Sequence, residues 1–301
     1  MHLCHVCGRQ LRSRFAKVED AQSGEIFSIL ACDNCGAAQT FPQPEDLSLY
    51  YAAYYGTRHG FTIDHCNRRR LSWLENNSKV KTKRRLLDVG CGDGSFLRAA
   101  VKRGWRGVGT ELGASELQDA NFEIYADLKD VTAKYGNESF DAVTMWHTLE
   151  HFRNPPAILR EVSALLARDG VLLVAVPNAR GWQARIFGKF WFHLDVPRHL
   201  FHFSSKSLDK LLEQSGFMVR RKWHQEFEYD LLGWSQSGLN YMFSAPNVFF
   251  KYLTGHHTNV VGLIRAVHVV FGAIFSALAV PLVLFGTLRK KGGTLVVRAS
   301  K

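Results

Sequence analysis

The stretch Leu87-Asp88-Val89-Gly90-Cys91-Gly92-Asp93-Gly94 constrains this chain more than any other. Arg85 to Val89 reads as a short buried strand. Three glycines follow at alternate positions, and Phe96, Leu97, Ala100 and Val101 then recur at helical spacing. A strand, a glycine turn and a helix in that order build half of a parallel β-α-β unit. Glycine lets the backbone approach a ligand closely, and the helix start aims amides at it. The alternation continues downstream. Gly107-Val108-Gly109 ends a second strand before Glu111, and Phe140–Trp146 is a third. Asn154-Pro155-Pro156 opens a helix, and Val171–Val176 is an apolar run of the buried parallel kind. Ser204–Ser215 predicts a helix capped by Ser204 and stopped by Gly216, and Phe217–Trp223 and Thr294–Ala299 read as closing strands. The expected fold class is α/β with a doubly wound sheet.

Composition excludes a disordered or low-complexity chain, since 46% of the 301 residues are hydrophobic and 22% charged. A formal charge of +11 suits nucleic acid, anionic lipid or phosphate-bearing substrates without choosing among them. The N-terminus MHLCHVCGRQLRSRF has no apolar core or cleavage signal, so the expected compartment is the cytosolic side, where thiols stay reduced.

Cys4-x-x-Cys7-Gly and Cys32-x-x-Cys35-Gly form two knuckles. Two thiolates at that spacing grip one face of a tetrahedral ion, and four close a structural Zn²⁺ site with no open position. A redox pair or inert thiols are the alternatives. The centre is therefore assigned to structure or partner contact, not to catalysis.

A glycine loop alone also fits nicotinamide enzymes. Three features separate this one. Asp88 precedes the first glycine, the loop reads G-x-G-x-G, and Glu111 and Asp127 follow the next two apolar runs. With LLDVGCGDGSFL, GVGTEL, FEIYADL, FDAVTMWHTLEHFRNP and LREVSALLARDGVLLVAVPN in order across residues 86–178, the chain resembles the class I S-adenosylmethionine-dependent methyltransferases. PRHLFHFSSKSLDKLLEQSGF extends the match. The Cys4 head and Tyr50-Tyr51-x-x-Tyr54-Tyr55 look like a bacterial branch whose members resemble enzymes acting on sugars, polysaccharide precursors or lipid-like acceptors. The resemblance implies a seven-stranded Rossmann-like methyltransferase sheet, a zinc-ribbon-like N-terminal head and S-adenosylmethionine as cofactor. It implies that Asp88, Gly90, Gly92 and Gly94 cradle the methionine end, that Glu111 holds the ribose and that Asp127 meets the adenine. Thr110-Glu111 stands where Val-Asp or Ile-Asp is commoner, which lengthens the acidic arm and keeps its charge.

A sulfonium is a good leaving group, so the protein must align an acceptor and exclude water. A hydroxyl acceptor needs a base, and histidine titrates in the useful range. The candidates are His199 and His202 in PRHLFHF, then His147 in WHTLEH. His147 and His151 with Glu150 could instead hold a divalent ion or pack beside the cofactor. The aromatic loop Trp182–Phe192 could stack on a sugar or prenyl group, or cover the core.

Ala266–Gly286 is long enough to cross a hydrocarbon core, and Arg289-Lys290-Lys291 follows at once. If the closing strands pair, however, both ends of the insertion lie on one side of any membrane, so a lone span is excluded: the segment dips in and returns, lies in the interface, is matched by a second span, or is a helix buried in an oligomer interface. Leu231–Phe250, uncharged but carrying Ser, Gln and Asn among aromatics, suits an interfacial segment. Arg68-Arg69-Arg70 and Lys79 to Arg85 could dock on anionic headgroups, bind RNA or form a solvated face. The expected divisions are a zinc-binding head (1–48), a linker or helical arm (49–85), a methyltransferase core (86–226), a membrane-associated hydrophobic insertion (227–292) and the last strand (293–301). The expected activity is methyl transfer to a hydroxyl of a sugar, glycolipid or polyprenyl-linked intermediate at the cytoplasmic face of the membrane. RNA methylation and a non-catalytic S-adenosylmethionine-binding module are the alternatives. Nucleic acid is the weaker partner, because no Asn-Pro-Pro-Tyr-type motif follows Trp146.

Overall fold

The structure is a computed structural model that describes residues 2–51, 62–75, 84–112, 119–256 and 260–301. Tyr54 and Tyr55 of the tyrosine cluster, and residues 79–83 of the second basic run, lie outside the described residues. In chain order the elements are β1 (Arg12–Glu19), β2 (Ile26–Ala31), β3 (Ala38–Phe41), α1 (Ile63–Glu75), β4 (Arg85–Val89), α2 (Ser95–Val101), β5 (Arg106–Thr110), β6 (Glu123–Tyr125), α3 (Leu128–Tyr135), β7 (Phe140–Trp146), α4 (Pro155–Leu165), β8 (Leu166–Pro177), α5 (Trp182–Phe187), β9 (Phe201–His202), α6 (Ser205–Gln214), β10 (Met218–Trp223), α7 (Phe227–Met242), α8 (Val248–Leu253), α9 (Gly262–Leu288) and β11 (Thr294–Ser300).

The chain folds into two compact units. One comprises residues 61–176, 209–222 and 296–301 and carries the expected seven-stranded sheet, in the order β10-β11-β8-β7-β4-β5-β6. β4 pairs in parallel with β5 and β7, β5 with β6, and β7 with β8. Leu86, Leu87, Val143, Leu173 and Val174 are fully buried, as strands covered on both faces require. Local chemistry sets the helix starts. The Asn154 side chain accepts from Ala157 N ahead of Pro155, and the Asp127 side chain caps α3.

The other unit gathers residues 1–60, 177–208 and 223–295, which differs from the divisions read from sequence. The head is not closed at residue 48. Its antiparallel strands run β1-β2-β3, and β9 adds to the open edge through Ala38↔His202 and Gln39↔Phe201. In β2, Phe27, Ile29 and Ala31 alternate into a core shared with Ala184, Trp191 and Leu194. A buried ion cluster ties the strands down: Arg198 donates to Asp20 at 3.0 Å and to Asp195 at 2.6 Å.

The insertion joins this unit. Asp230 of α7 accepts from Gly293 N and Thr294 Oγ1, at 3.0 and 2.7 Å. Its entry and exit are thereby held side by side. α7 is not the interfacial segment expected for Leu231–Phe250. Gly233, Ser235, Gln236 and Ser237 are buried, because each polar side chain finds a partner. Ser235 meets Ser276 of α9 at 2.7 Å, Gln236 Oε1 accepts from Phe250 N, and Ser237 Oγ accepts from Phe192 N.

Candidate functional site

The glycine loop is clipped to the neighbouring strand. Gly90 N and Cys91 N both donate to Thr110 O, at 2.8 and 2.9 Å. Gly90, Gly92 and Gly94 all have positive φ, which L side chains rarely adopt. Their reasons differ. A Cβ at Gly90 would stand 2.4 Å from Thr148 Cγ2, and one at Gly94 would stand 2.8 Å from the Phe122 ring. A Cβ at Gly92 would meet nothing within 4 Å. Packing inside the protein therefore demands two of the glycines, while the third faces open space that a ligand can fill.

Glu111 borders that space. Its carboxylate accepts from Gly92 N at 2.8 Å and from Leu112 N at 3.2 Å. Asp88 lies beneath it, buried, accepting from Thr144 Oγ1 at 2.6 Å. Burial pushes the Asp88 carboxyl up to about 7; Thr144 and the Arg70 guanidinium pull it down and Glu111 pushes it up. Arg70 was part of an expected basic surface patch, but it is buried, with its guanidinium 4.7 Å from the centroid of the Trp146 ring. The signal for this was available: Cys66, Asn67, Arg70, Leu71 and Leu74 share one face of α1. Asn67 Oδ1 and Trp146 Nε1 are buried without a hydrogen-bond partner among the described residues. Such orphaned polar atoms call for a polar ligand. Together with the open side of Gly92, they fit the cofactor that the resemblance implies.

A ligand carrying a cationic amino group near Asp88 binds the ionised carboxylate better than the neutral acid. Affinity for S-adenosylmethionine is therefore expected to rise as pH increases through about 7. Asp88→Asn should flatten that dependence. Calorimetric titrations between pH 6 and 8 check both.

The other predicted residues are placed as follows. Asp127 Oδ1 accepts from Lys129 N and Asp130 N, so one of its oxygens caps α3. His147 stands just past β7 with φ +52, a strained setting, and its Nδ1 is 3.8 Å from Glu150 Oε1. His199 and His202 belong to the other unit. Thr40 Oγ1 gives its proton to His199 O at 2.6 Å, so it can only accept from His202 Nε2 at 3.0 Å. Burial holds the His202 imidazole down at about 3. His202 is thus spent on joining β9 to β3, which removes the grounds for assigning it as a base. His199 donates from Nδ1 to His193 O at 2.8 Å, which leaves Nε2 as the acceptor nitrogen, 3.9 Å from Asp195 Oδ2.

In the head, Cys4 Sγ lies 3.6 Å from Cys35 Sγ, and Cys7 Sγ lies 3.4 Å from Cys32 Sγ. All four sulfurs fall within 4.8 Å of one another. Tetrahedral Zn–S bonds of about 2.3 Å require sulfurs about 3.8 Å apart, so the set matches. Gly8 and Gly36, at φ +70 and +76, turn each knuckle back onto its first cysteine. The hydrogen bond with Cys35 pulls Cys4 down to about 5, and the same contact pushes Cys35 up. Four thiolates cannot crowd here without a cation.

A family model described as a methyltransferase domain matches residues 63–222, just over half of the chain. The ubiquinone biosynthesis O-methyltransferase of Histophilus somni is 24% identical over 214 residues, covering 66% of this chain and 78% of that protein. Its namesake from Psychrobacter arcticus is 30% identical over 142 residues, covering 39% of this chain and 55% of that protein. Among solved structures, a SAM-dependent methyltransferase from Archaeoglobus fulgidus superposes with a TM-score of 0.50 at 18% identity, covering 85% of this chain and all of that one. That likeness concerns the fold alone.

Proposed function

The chain belongs to the methyltransferase domain family and is an S-adenosylmethionine-dependent methyltransferase; we propose that its acceptor is a hydroxyl on a sugar, glycolipid or polyprenyl-linked intermediate at the cytoplasmic face of a membrane. The relatives from Histophilus somni and Psychrobacter arcticus are named for O-methyl transfer in ubiquinone biosynthesis, which favours oxygen as the acceptor atom. The observation that carries the membrane reading is α9. Over 27 residues, about 40 Å of helix, it is long and apolar enough to cross a bilayer. Its large side chains point outward: Leu263 is 80% exposed, Leu278 62% and Leu288 78%. Its buried residues are His268, Gly272, Ala279, Val283 and Gly286, three of them Gly or Ala, with Ser276 bonded to α7. A helix of a soluble protein turns its large apolar face inward. Small residues toward protein and large ones outward is the membrane arrangement. Because Asp230 holds both ends of the insertion together, a lone crossing by α9 is excluded on this reading, and an interfacial position or a return to the same side is favoured. A reduced compartment also suits the cysteine centre, which Cys4, Cys7, Cys32 and Cys35 would close around a structural zinc ion.

In this reading the sulfonium of S-adenosylmethionine supplies the methyl group. The loop shaped by Gly90 and Gly94 brings its backbone against the cofactor at Gly92, Glu111 receives the ribose hydroxyls, Asp88 faces the methionine end, and Asp127 stands on the adenine side. A histidine takes the acceptor's proton, and His199 is the first candidate. His147 is the second choice.

Leu263→Gln, Leu278→Gln and Leu282→Gln together should leave folding and S-adenosylmethionine binding intact while cutting flotation with liposomes at least tenfold. Methylation of a membrane-derived acceptor should fall in parallel. Unchanged flotation would remove α9 from the membrane.

A further inference from the structure

Three arginines gather on one side of the unit that holds the head and the insertion, and nothing in the methyl-transfer reading uses them. Arg14 on β1 donates to Ala179 O at 3.5 Å and lies over the Phe15 ring. Arg180 follows Ala179, and its Nε is 3.5 Å from the place a Cβ would take on Gly36. Arg185 is exposed on α5, one residue after buried Ala184. Burial first, and then the nearby charges of Arg180 and Arg185, disfavour the protonated form of Arg14. Among the described residues, no acidic side chain forms a salt bridge with any of the three.

Like charges drawn together without acidic partners cost free energy unless an anion occupies the gap. Guanidinium forks match phosphate oxygens in pairs, so phosphate is the anion they suit. The surroundings add an apolar component. Arg14 edges a small cleft of about 10 Å³, room for about one water, lined by Ala184, Gly188, Trp191 and His202. Arg185 is followed by exposed Ile186, and Lys189 by exposed Phe190, whose ring meets Tyr241 at 5.5 Å. Trp182 at the head of α5 meets Phe285 of α9, also at 5.5 Å. The cationic cluster therefore borders the same apolar surface as α9.

We infer that Arg14, Arg180 and Arg185 bind the phosphate or diphosphate of a phosphorylated amphiphile, the group that would link a lipid carrier to its sugar. The inference rests on the lipid-linked acceptor reading and narrows it. It assigns phosphate recognition to residues remote in sequence from the glycine loop.

The test uses the full chain in a nonionic detergent, with farnesyl phosphate as the probe and tryptophan fluorescence or calorimetry as the readout. The parent should bind farnesyl phosphate about a hundredfold more tightly than farnesol, which has the same chain without the phosphate. Combined Arg14→Gln, Arg180→Gln and Arg185→Gln should lose about a hundredfold in farnesyl phosphate affinity and keep S-adenosylmethionine affinity. Arg185→Lys should retain most of the binding. Equal binding by parent and triple variant, or equal binding of farnesol, would overturn the inference. So would inorganic phosphate binding as tightly as farnesyl phosphate, or flotation on phosphatidylglycerol vesicles without capture of the monodisperse probe. If farnesyl phosphate binds as predicted but no lipid fraction accepts methyl groups, the arginine site stands and the acceptor reading falls.

Discussion

If the cysteine centre holds the proposed zinc ion, removing it by a chelator or by Cys32→Ser is expected to unfold the four-stranded sheet of the head. The sheet is small, and Cys32 and Cys35 lie in the turn that joins β2 to β3. Cys32 N donates to Ala37 O and Gly36 N to Cys32 O, so one knuckle forms the connection from β2 to β3. Zinc bound by four thiolates contributes about 10–16 kcal/mol of apparent binding free energy, comparable with the whole stability of a domain. The purified protein should carry one zinc per chain by atomic absorption. Cys32→Ser should carry little, and its unfolding temperature should drop on the order of 10 °C or more. Full stability in chelator with no metal bound would return the cysteines to a redox or inert role.

Glu111→Ala is expected to weaken S-adenosylmethionine binding about a hundredfold. The carboxylate can accept from two ribose hydroxyls, and each hydrogen bond to a charged group contributes about 1.5–3 kcal/mol. Part of that gain is offset, because without ligand the same carboxylate already accepts from Gly92 N and Leu112 N. Glu111→Gln keeps an acceptor and should lose about tenfold. Calorimetry measures both. Affinity within threefold of the parent for Glu111→Ala would move the ribose elsewhere.

What could be read from sequence was encoded locally. The strand before Gly90, the Asn154 cap, the prolines of α4 and the Cys-x-x-Cys-Gly knuckles each write their structure into a few adjacent residues. β7 at Phe140–Trp146 has the bounds its apolar run predicts. What escaped was set by distant pairing. Nothing near Phe201–His202 says that it will extend a sheet begun at residue 12, so His202 looked like a base and is a strand residue held by Thr40. The polar side chains of α7 suggested a wet interface because their partners, Ser276, Phe250 N and Phe192 N, lie in other elements. Arg70 was hidden in a basic run and separates from Arg68 only when α1 is wound as a helix.

Methyl transfer to a lipid-linked hydroxyl is tested most directly by incubating the purified protein with methyl-labelled S-adenosylmethionine and a membrane-containing host extract, then separating organic, RNA and small aqueous fractions. The account predicts label in the organic phase, released by mild acid as a methylated sugar and absent with Glu111→Ala. Label confined to RNA, with the organic phase blank, would contradict it.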